Sequence, residues 1–302
     1  MPTDGNNAPK LAIIGFGEAG PAIASGLHDD GLSDITAYDI LLADTEASAL
    51  LAERAAKAGV ALCANHADAV QGRDIVISTV TCADAVTAAG QVAPHLKAGQ
   101  IYLDVNSVSP VTKAEVRDVI EASGATFVEA SIMSPIYPNR HKSPMLACGP
   151  AAPALISALA PFGMDIEDMG SEFGRAAATK MFRSIVFKGL EALLGECVVA
   201  ADQYGVAEKV LDSVGKNYPQ LDWNDLASYF MGRSVAHGVR RAHEMDEVAE
   251  TLKAMDMQPF MAEGAAKRIR WLGTSGLKEH FAGREPENYH EIVAVLKQLR
   301  GG

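Results

Sequence analysis

Residues 11–27 read LAIIGFGEAGPAIASGL. The segment opens on an apolar run of strand character, passes Gly15, Gly17 and Gly20, and continues as an alanine-rich helical pattern. Glycines at this spacing allow a tight turn and let backbone N–H groups approach an anion, which the following helix N-terminus then faces. Pro21 suits the first turn of that helix, where the N–H it lacks would have no partner. Glycines alone are weak evidence, but a strand before and a helix after them are the context of a dinucleotide-binding βαβ unit. Gly15, Phe16, Gly17, Glu18, Ala19 and Gly20 are therefore candidate cofactor-binding residues.

Short apolar runs alternate with helical stretches outward from this loop. Strands are predicted at 11–16, 35–39, 74–80, 101–106 and 125–130, with a further pair at 144–149 and 164–169 extending the sheet. Alanine-rich segments such as ADTEASALLAERAAKAG at 43–59 supply the crossovers. This alternation predicts an α/β architecture, a doubly wound parallel (Rossmann) sheet. IIGF and IVISTV are apolar on both faces, as strands covered by helices on both sides require. Asp39 ends the second strand, 24 residues after Gly15. A carboxylate there accepts both ribose hydroxyls of NAD and repels the 2′-phosphate of NADP. The following residues, ILLADTE, add no cation, so NAD is expected before NADP. Val80 and Thr81, in DIVISTVTCADAV, are placed beside the nicotinamide ribose.

Beyond about residue 170 no strand pattern remains. Helices are predicted at 174–204, 206–216, 222–236, 240–256, 259–272 and 287–300. Two domains follow, a dinucleotide-binding domain at 1–170 and an all-helical domain at 171–302 for substrate binding and dimerisation. The 302 residues suit two domains. A net charge of −12 and the lack of a basic run argue against nucleic acid and anionic membranes. Cys63, Cys82, Cys148 and Cys197 are dispersed, with no C-x-x-C pair, so no metal site or disulfide framework is expected. The polar start MPTDGNNAP lacks a signal-peptide core and no apolar run is long enough to span a membrane, so a cytoplasmic location is expected.

The stretch GRAAATKMFRSIVFKGLEALLGE, residues 174–196, is mostly apolar yet carries Lys180, Arg183, Lys188 and Glu191. Lys180, Ser184, Lys188 and Glu191 recur at helical steps of three and four and form one polar stripe. On periodicity alone the stripe is either solvated or a site.

Together these motifs resemble the 3-hydroxyacid dehydrogenase family, which includes 6-phosphogluconate dehydrogenases. The resemblance rests on GFGEAG, DVNSVSP at 104–110, VEASIMSP at 128–135 and a lysine early in the first helix of a helical domain. The C-terminal run TKMFRSIVFKGLEALLGE is similar to a branch whose phosphogluconate-dehydrogenase-like C-terminal domain long carried an unknown-function label. The resemblance implies an NAD(P)-dependent dehydrogenase that moves hydride between nicotinamide and the hydroxyl carbon of a small anionic 3-hydroxy acid. It implies a homodimer and casts Lys180 as general acid/base. Desolvation and the neighbouring Arg183 would make its amine less basic, as that role needs. Asn106 and Ser107, in DVNSVSP, are placed between nicotinamide and substrate.

The sequence departs from the family at two points. Ser184 stands where an asparagine is usual, with Arg183 beside it as a possible carboxylate ligand. The usual S-G-G turn is replaced by Met133, Ser134 and Pro135, which removes backbone and side-chain donors from the substrate pocket. The loop IYPNRHKSP at 136–144 offers Tyr137, Arg140, His141 and Lys142 toward a larger acid. Late in the chain, His237, Arg240, Arg241 and His243 are candidates to meet the nicotinamide or a carboxylate. His243 is counted with the substrate-binding set. An imine reductase is an alternative that Lys180 argues against, and a non-catalytic NAD sensor is another.

Overall fold

The computed structural model describes residues 8–282 and 284–300, without the side chain of Arg300. Most of the polar N-terminal stretch, residues 1–7, lies outside the described residues. The chain divides into two compact units, Met1–Lys180 and Met181–Gly302.

The first unit is built on an eight-stranded sheet: β1 Leu11–Ile14, β2 Ile35–Tyr38, β3 Ala61–Leu62, β4 Ile75–Ser78, β5 Ile101–Asp104, β6 Thr126–Ile132, β7 Met145–Cys148 and β8 Ile166–Asp168. Its order is β3-β2-β1-β4-β5-β6-β7-β8. All neighbours are parallel except β6 and β7, which run antiparallel with Ile132 opposite Met145. The helices of this unit are α1 Ala19–Asp29, α2 Thr45–Ala58, α3 His66–Val70, α4 Ala85–Val92, α5 Pro110–Glu121 and α6 Ala152–Leu159.

Period-two alternation sends the central strand both ways. Leu11 and Ile13 pack with Ile23, Leu27, Leu51 and Leu155 on one face. Ala12 and Ile14 pack with Ala85, Val92, Val116 and Ile120 on the other. This two-sided burial explains why β1 and β4 read as unbroken apolar runs. The reversal at β7 and the two-residue β3 are not visible in the sequence pattern.

The remaining helices are α7 Arg175–Asp202, α8 Ala207–Gly215, α9 Trp223–Ala254, α10 Phe260–Gly273, α11 Leu277–His280 and α12 Tyr289–Arg300. The division between the units falls inside α7. The sequence pattern gives two helices over 222–256 with a break at 237–239, and α9 is two helical segments joined at a kink there, His237 taking the non-helical φ −133° and ψ 15°. Gly238 follows the kink, and a Cβ on it would lie 2.7 Å from Cα of Gly273. The two glycines thus let α9 and α10 cross backbone to backbone. Among the described residues, no helix is long and apolar enough to cross a membrane.

Candidate functional site

The first unit gathers its polar groups at the C-terminal edge of the sheet. Gly15 has φ +88°, and a Cβ there would stand 2.7 Å from the Thr79 carbonyl oxygen, so only glycine fits without strain. Thr79 also donates from Oγ1 to the Gly15 carbonyl at 2.7 Å, fastening the loop to the end of β4. A Cβ on Gly20 would meet the Gly15 carbonyl at 2.4 Å. Gly17 differs, since nothing lies within 4 Å of the position its Cβ would take. Two glycines are consumed by the turn and its packing, and the third leaves space at the helix entrance. This is the cradle a pyrophosphate requires, and the residues fit a dinucleotide.

Asp39 ends β2 with its side chain largely buried. Its Oδ2 accepts from the Phe16 N–H at 2.6 Å, and its Oδ1 accepts from the Leu41 N–H at 2.9 Å. The carboxylate is therefore held against the glycine loop, where a ribose would lie. Val80 donates its N–H to Oδ1 of Asn106 at 2.7 Å, and Nδ2 of Asn106 donates to Ser78 Oγ at 2.9 Å. Asn106 is buried and ties the end of β4 to that of β5. Thr81 Oγ1 hydrogen-bonds to Asp84 at the start of a short 3-10 turn.

Lys180, in the first turns of α7, donates from Nζ to Ser107 Oγ at 2.6 Å. The carboxylate of Glu129, on β6, receives the backbone N–H groups of Gly174 and Ala177 at the start of α7. Lys113 is buried here beside Asp104 and Glu129. Its Nζ donates to the backbone carbonyls of Asp104 at 2.7 Å and Ala130 at 3.0 Å, and lies 3.3 Å from the Asp104 carboxylate. Burial pushes the Asp104 carboxyl upward, against the pull of Lys113 and of the Asn106 N–H. The network joins DVNS, the strand-six turn and the lysine helix. A signal for Lys113 exists in the sequence, because it shares the buried stripe of α5 with Val116 and Ile120. Thr79 left no signal beyond its place at a strand end.

Met133 packs beside the apolar cluster of Leu146, Cys148 and Ala176. Ser134 Oγ donates to the Pro135 carbonyl. The IYPNRHKSP loop is committed to the end of α1, with Arg140 pairing with Asp29 at 2.6 Å and both His141 and Lys142 meeting Asp30 at 2.8 Å. Those side chains serve to dock the loop, so they are not presented to a substrate acid.

In the second unit, the Arg183 guanidinium lies over the Phe187 ring at 4.4 Å, and Ser184 Oγ accepts from Lys188 Nζ at 3.2 Å. Lys188 and Glu191 are buried. Lys188 pairs with Glu244 at 2.6 Å, and Arg241 grips Glu191, which also accepts from Ser234. Arg240 pairs with the same Glu244 at 2.9 Å. His243 is exposed and pairs with Asp246, one turn away on α9. The structure thus brings together Lys180 and Ser107, and Asn106 and Val80. It gives Arg240, Arg241 and His243 acidic partners inside the helical unit.

Two family models match the chain. Residues 10–107 match the NADP oxidoreductase, coenzyme F420-dependent, model, and residues 201–272 match a domain of unknown function, DUF1932. A conserved hypothetical protein from Sinorhizobium meliloti 1021 is 35% identical, with 97% of each chain covered and a TM-score of 0.80. A conserved protein of unknown function, described as structurally similar to 3-hydroxyacid dehydrogenases, is 32% identical over 89% of this chain and 98% of its own, with a TM-score of 0.72. The 2-(hydroxymethyl)glutarate dehydrogenase of Eubacterium barkeri is 24% identical over 69% of each chain. The mostly parallel sheet followed by helices is the 3-hydroxyacid dehydrogenase fold. The chain belongs to the family of these conserved proteins, and it joins an NAD(P)-binding oxidoreductase fold of the 3-hydroxyacid dehydrogenase type to a DUF1932 helical domain.

Proposed function

We propose that this protein is an NAD-dependent oxidoreductase acting on the hydroxyl or carbonyl carbon of a 3-hydroxy-acid-like substrate, with Lys180 as general acid/base. The observation that carries the reading is the 2.6 Å hydrogen bond from Lys180 to Ser107, beside the strand edge where Asn106 holds the Val80 N–H. Gly15, Gly17, Gly20 and Asp39 would hold the dinucleotide. When bound, its nicotinamide supplies the hydride acceptor or donor.

The protein's own share is positioning and proton transfer. Lys180 takes the hydroxyl proton during oxidation and returns it to the carbonyl oxygen during reduction. Ser107 fixes the amine in reach of that oxygen. Arg183, one turn further along α7, is the candidate for a substrate carboxylate, because its planar fork suits bidentate pairing. The Asp39 carboxylate favours two ribose hydroxyls over a 2′-phosphate, so NAD is preferred to NADP. The 2-(hydroxymethyl)glutarate dehydrogenase relative supports a primary alcohol near a carboxylate as the substrate class.

The test is turnover with NAD and with NADP against 3-hydroxy acids of graded size, followed by the Lys180→Ala variant. The expected loss in kcat is about 10²- to 10⁴-fold, with dinucleotide affinity retained. Near wild-type turnover by the variant would remove Lys180 from the chemistry. For the cofactor choice, Asp39→Ser is expected to weaken NADH binding and improve NADPH binding relative to it.

A further inference from the structure

Arg54 lies on α2, next to Ala55, one of the residues that seat this helix in the core shared with α1. Its side chain is half-buried and crosses to the glycine loop, where Nη1 donates to the Gly17 carbonyl at 2.7 Å. Gly17 is the loop position whose Cβ site is open. A guanidinium carries a fork of N–H donors, and a single carbonyl oxygen occupies only one of them. Among the described residues, its side chain has no other hydrogen bond or ion pair. That contact holds the guanidinium at Gly17, the open position of the loop. The neighbouring loop side chain is Glu18, and Asp39 holds the Phe16 N–H, so the loop is otherwise bordered by carboxylates. A phosphate entering there meets the helix dipole and backbone N–H groups, and needs a cation to offset those acids.

We infer that Arg54 is a phosphate-binding residue for the dinucleotide, tethered by Gly17 so that its free donors meet the pyrophosphate. The inference rests on the dinucleotide reading of the glycine loop and adds a residue far from that motif in sequence. The α2 segment reads locally as a solvated helix, and only the fold brings position 54 to position 17. The tether to Gly17 removes part of the ordering cost that a long side chain otherwise meets on binding. The same guanidinium chemistry also suits an adenosine 2′-phosphate. The pyrophosphate is favoured because the tether is at Gly17, where the loop is open, and Asp39 guards the ribose.

The experiment is equilibrium binding to the full chain of NADH, NADPH, ADP-ribose and adenosine, with wild type, Arg54→Ala and Arg54→Lys. Arg54→Ala is expected to raise Kd about tenfold for NADH, NADPH and ADP-ribose alike, the scale of a partly exposed charge-assisted hydrogen bond. Adenosine, which lacks phosphate, should bind with unchanged Kd, showing that the loop is intact in the variant. Arg54→Lys should fall between the two. Unchanged Kd values for all phosphate-bearing ligands would overturn the inference while leaving the dinucleotide reading in place. Weakening of NADPH alone would overturn the pyrophosphate assignment and move Arg54 to the 2′-phosphate. Equal weakening of adenosine and ADP-ribose would also overturn it, by making Arg54 a support of the loop alone. Failure of wild type to bind any of the dinucleotides would overturn the parent reading and this inference with it.

Discussion

Oε1 of Glu129 accepts a hydrogen bond from the backbone N–H of Ala177 at 2.8 Å, from the fully buried middle of β6. Its Oε2 takes the N–H of Gly174 at 2.6 Å. The first N–H groups of a helix have no partner inside it, and a carboxylate is well placed against the positive end of the dipole. A strand acid therefore anchors the helix whose next residues include Lys180. This side chain is one of the links from sheet to site.

Glu129→Gln replaces one acceptor with an NH₂ that faces another donor. It should cost about 1–3 kcal/mol of stability, the scale of a buried donor left unsatisfied. It should also speed amide exchange across 174–180. Dinucleotide affinity should hold, while kcat falls with the placement of Lys180. A urea unfolding midpoint equal to wild type would show that the cap is not a support.

The glycines of the loop are expected to separate into two kinds. Gly15→Ala meets the Thr79 carbonyl at 2.7 Å with φ +88°, so it should lower the thermal midpoint and dinucleotide affinity together. Gly17→Ala meets no atom within 4 Å and should fold normally. Its methyl group would still occupy the space a pyrophosphate needs, so the Kd for NADH should rise by about an order of magnitude or more. Thermal melts and NADH titrations of both variants are sufficient. Wild-type binding by a stably folded Gly17→Ala variant would disprove the assignment of that space.

Much of this was legible because it is local. The apolar runs of β1 and β4, the spacing of Gly15, Gly17 and Gly20, and Asp39 at a strand end all encode their roles within a few residues. The placement of Lys180 beside DVNS came from family resemblance. What stayed hidden depends on partners far along the chain. His141 and Lys142 read as loop cations until Asp30 is seen beside them, 111 residues from His141. Lys188 and Glu191 read equally well as a wet stripe, because their burial depends on Glu244 and Arg241 of α9. The antiparallel β7 was hidden for another reason, since side-chain alternation carries no information about strand direction.

The Lys188–Glu244 pair gives the helical unit a defined acid response. Burial pushes the Glu244 carboxyl up, but Lys188, then Arg240 and Arg241, more than reverse this and hold it below its ordinary value of 4.5. A carboxyl lowered in the folded state binds fewer protons than in the unfolded one, so it contributes stability above pH 4.5 that disappears as pH falls through the folded value. Lys188 has the opposite balance. Burial pulls its ammonium below the usual lysine range despite Glu244, a cost at neutral pH that is relieved as pH rises past the folded value. Glu244→Gln should thus cost about 3 kcal/mol at pH 7, because it leaves a buried ammonium without its carboxylate. Adding Lys188→Met should restore most of that loss, since a fitted apolar side chain replaces a desolvated charge. The acid-limb slope of stability against pH should flatten in both variants. Denaturant titrations from pH 3 to 8 on the four members of the cycle test this. Additive losses in the double variant would mean that the two side chains act independently, despite their 2.6 Å contact.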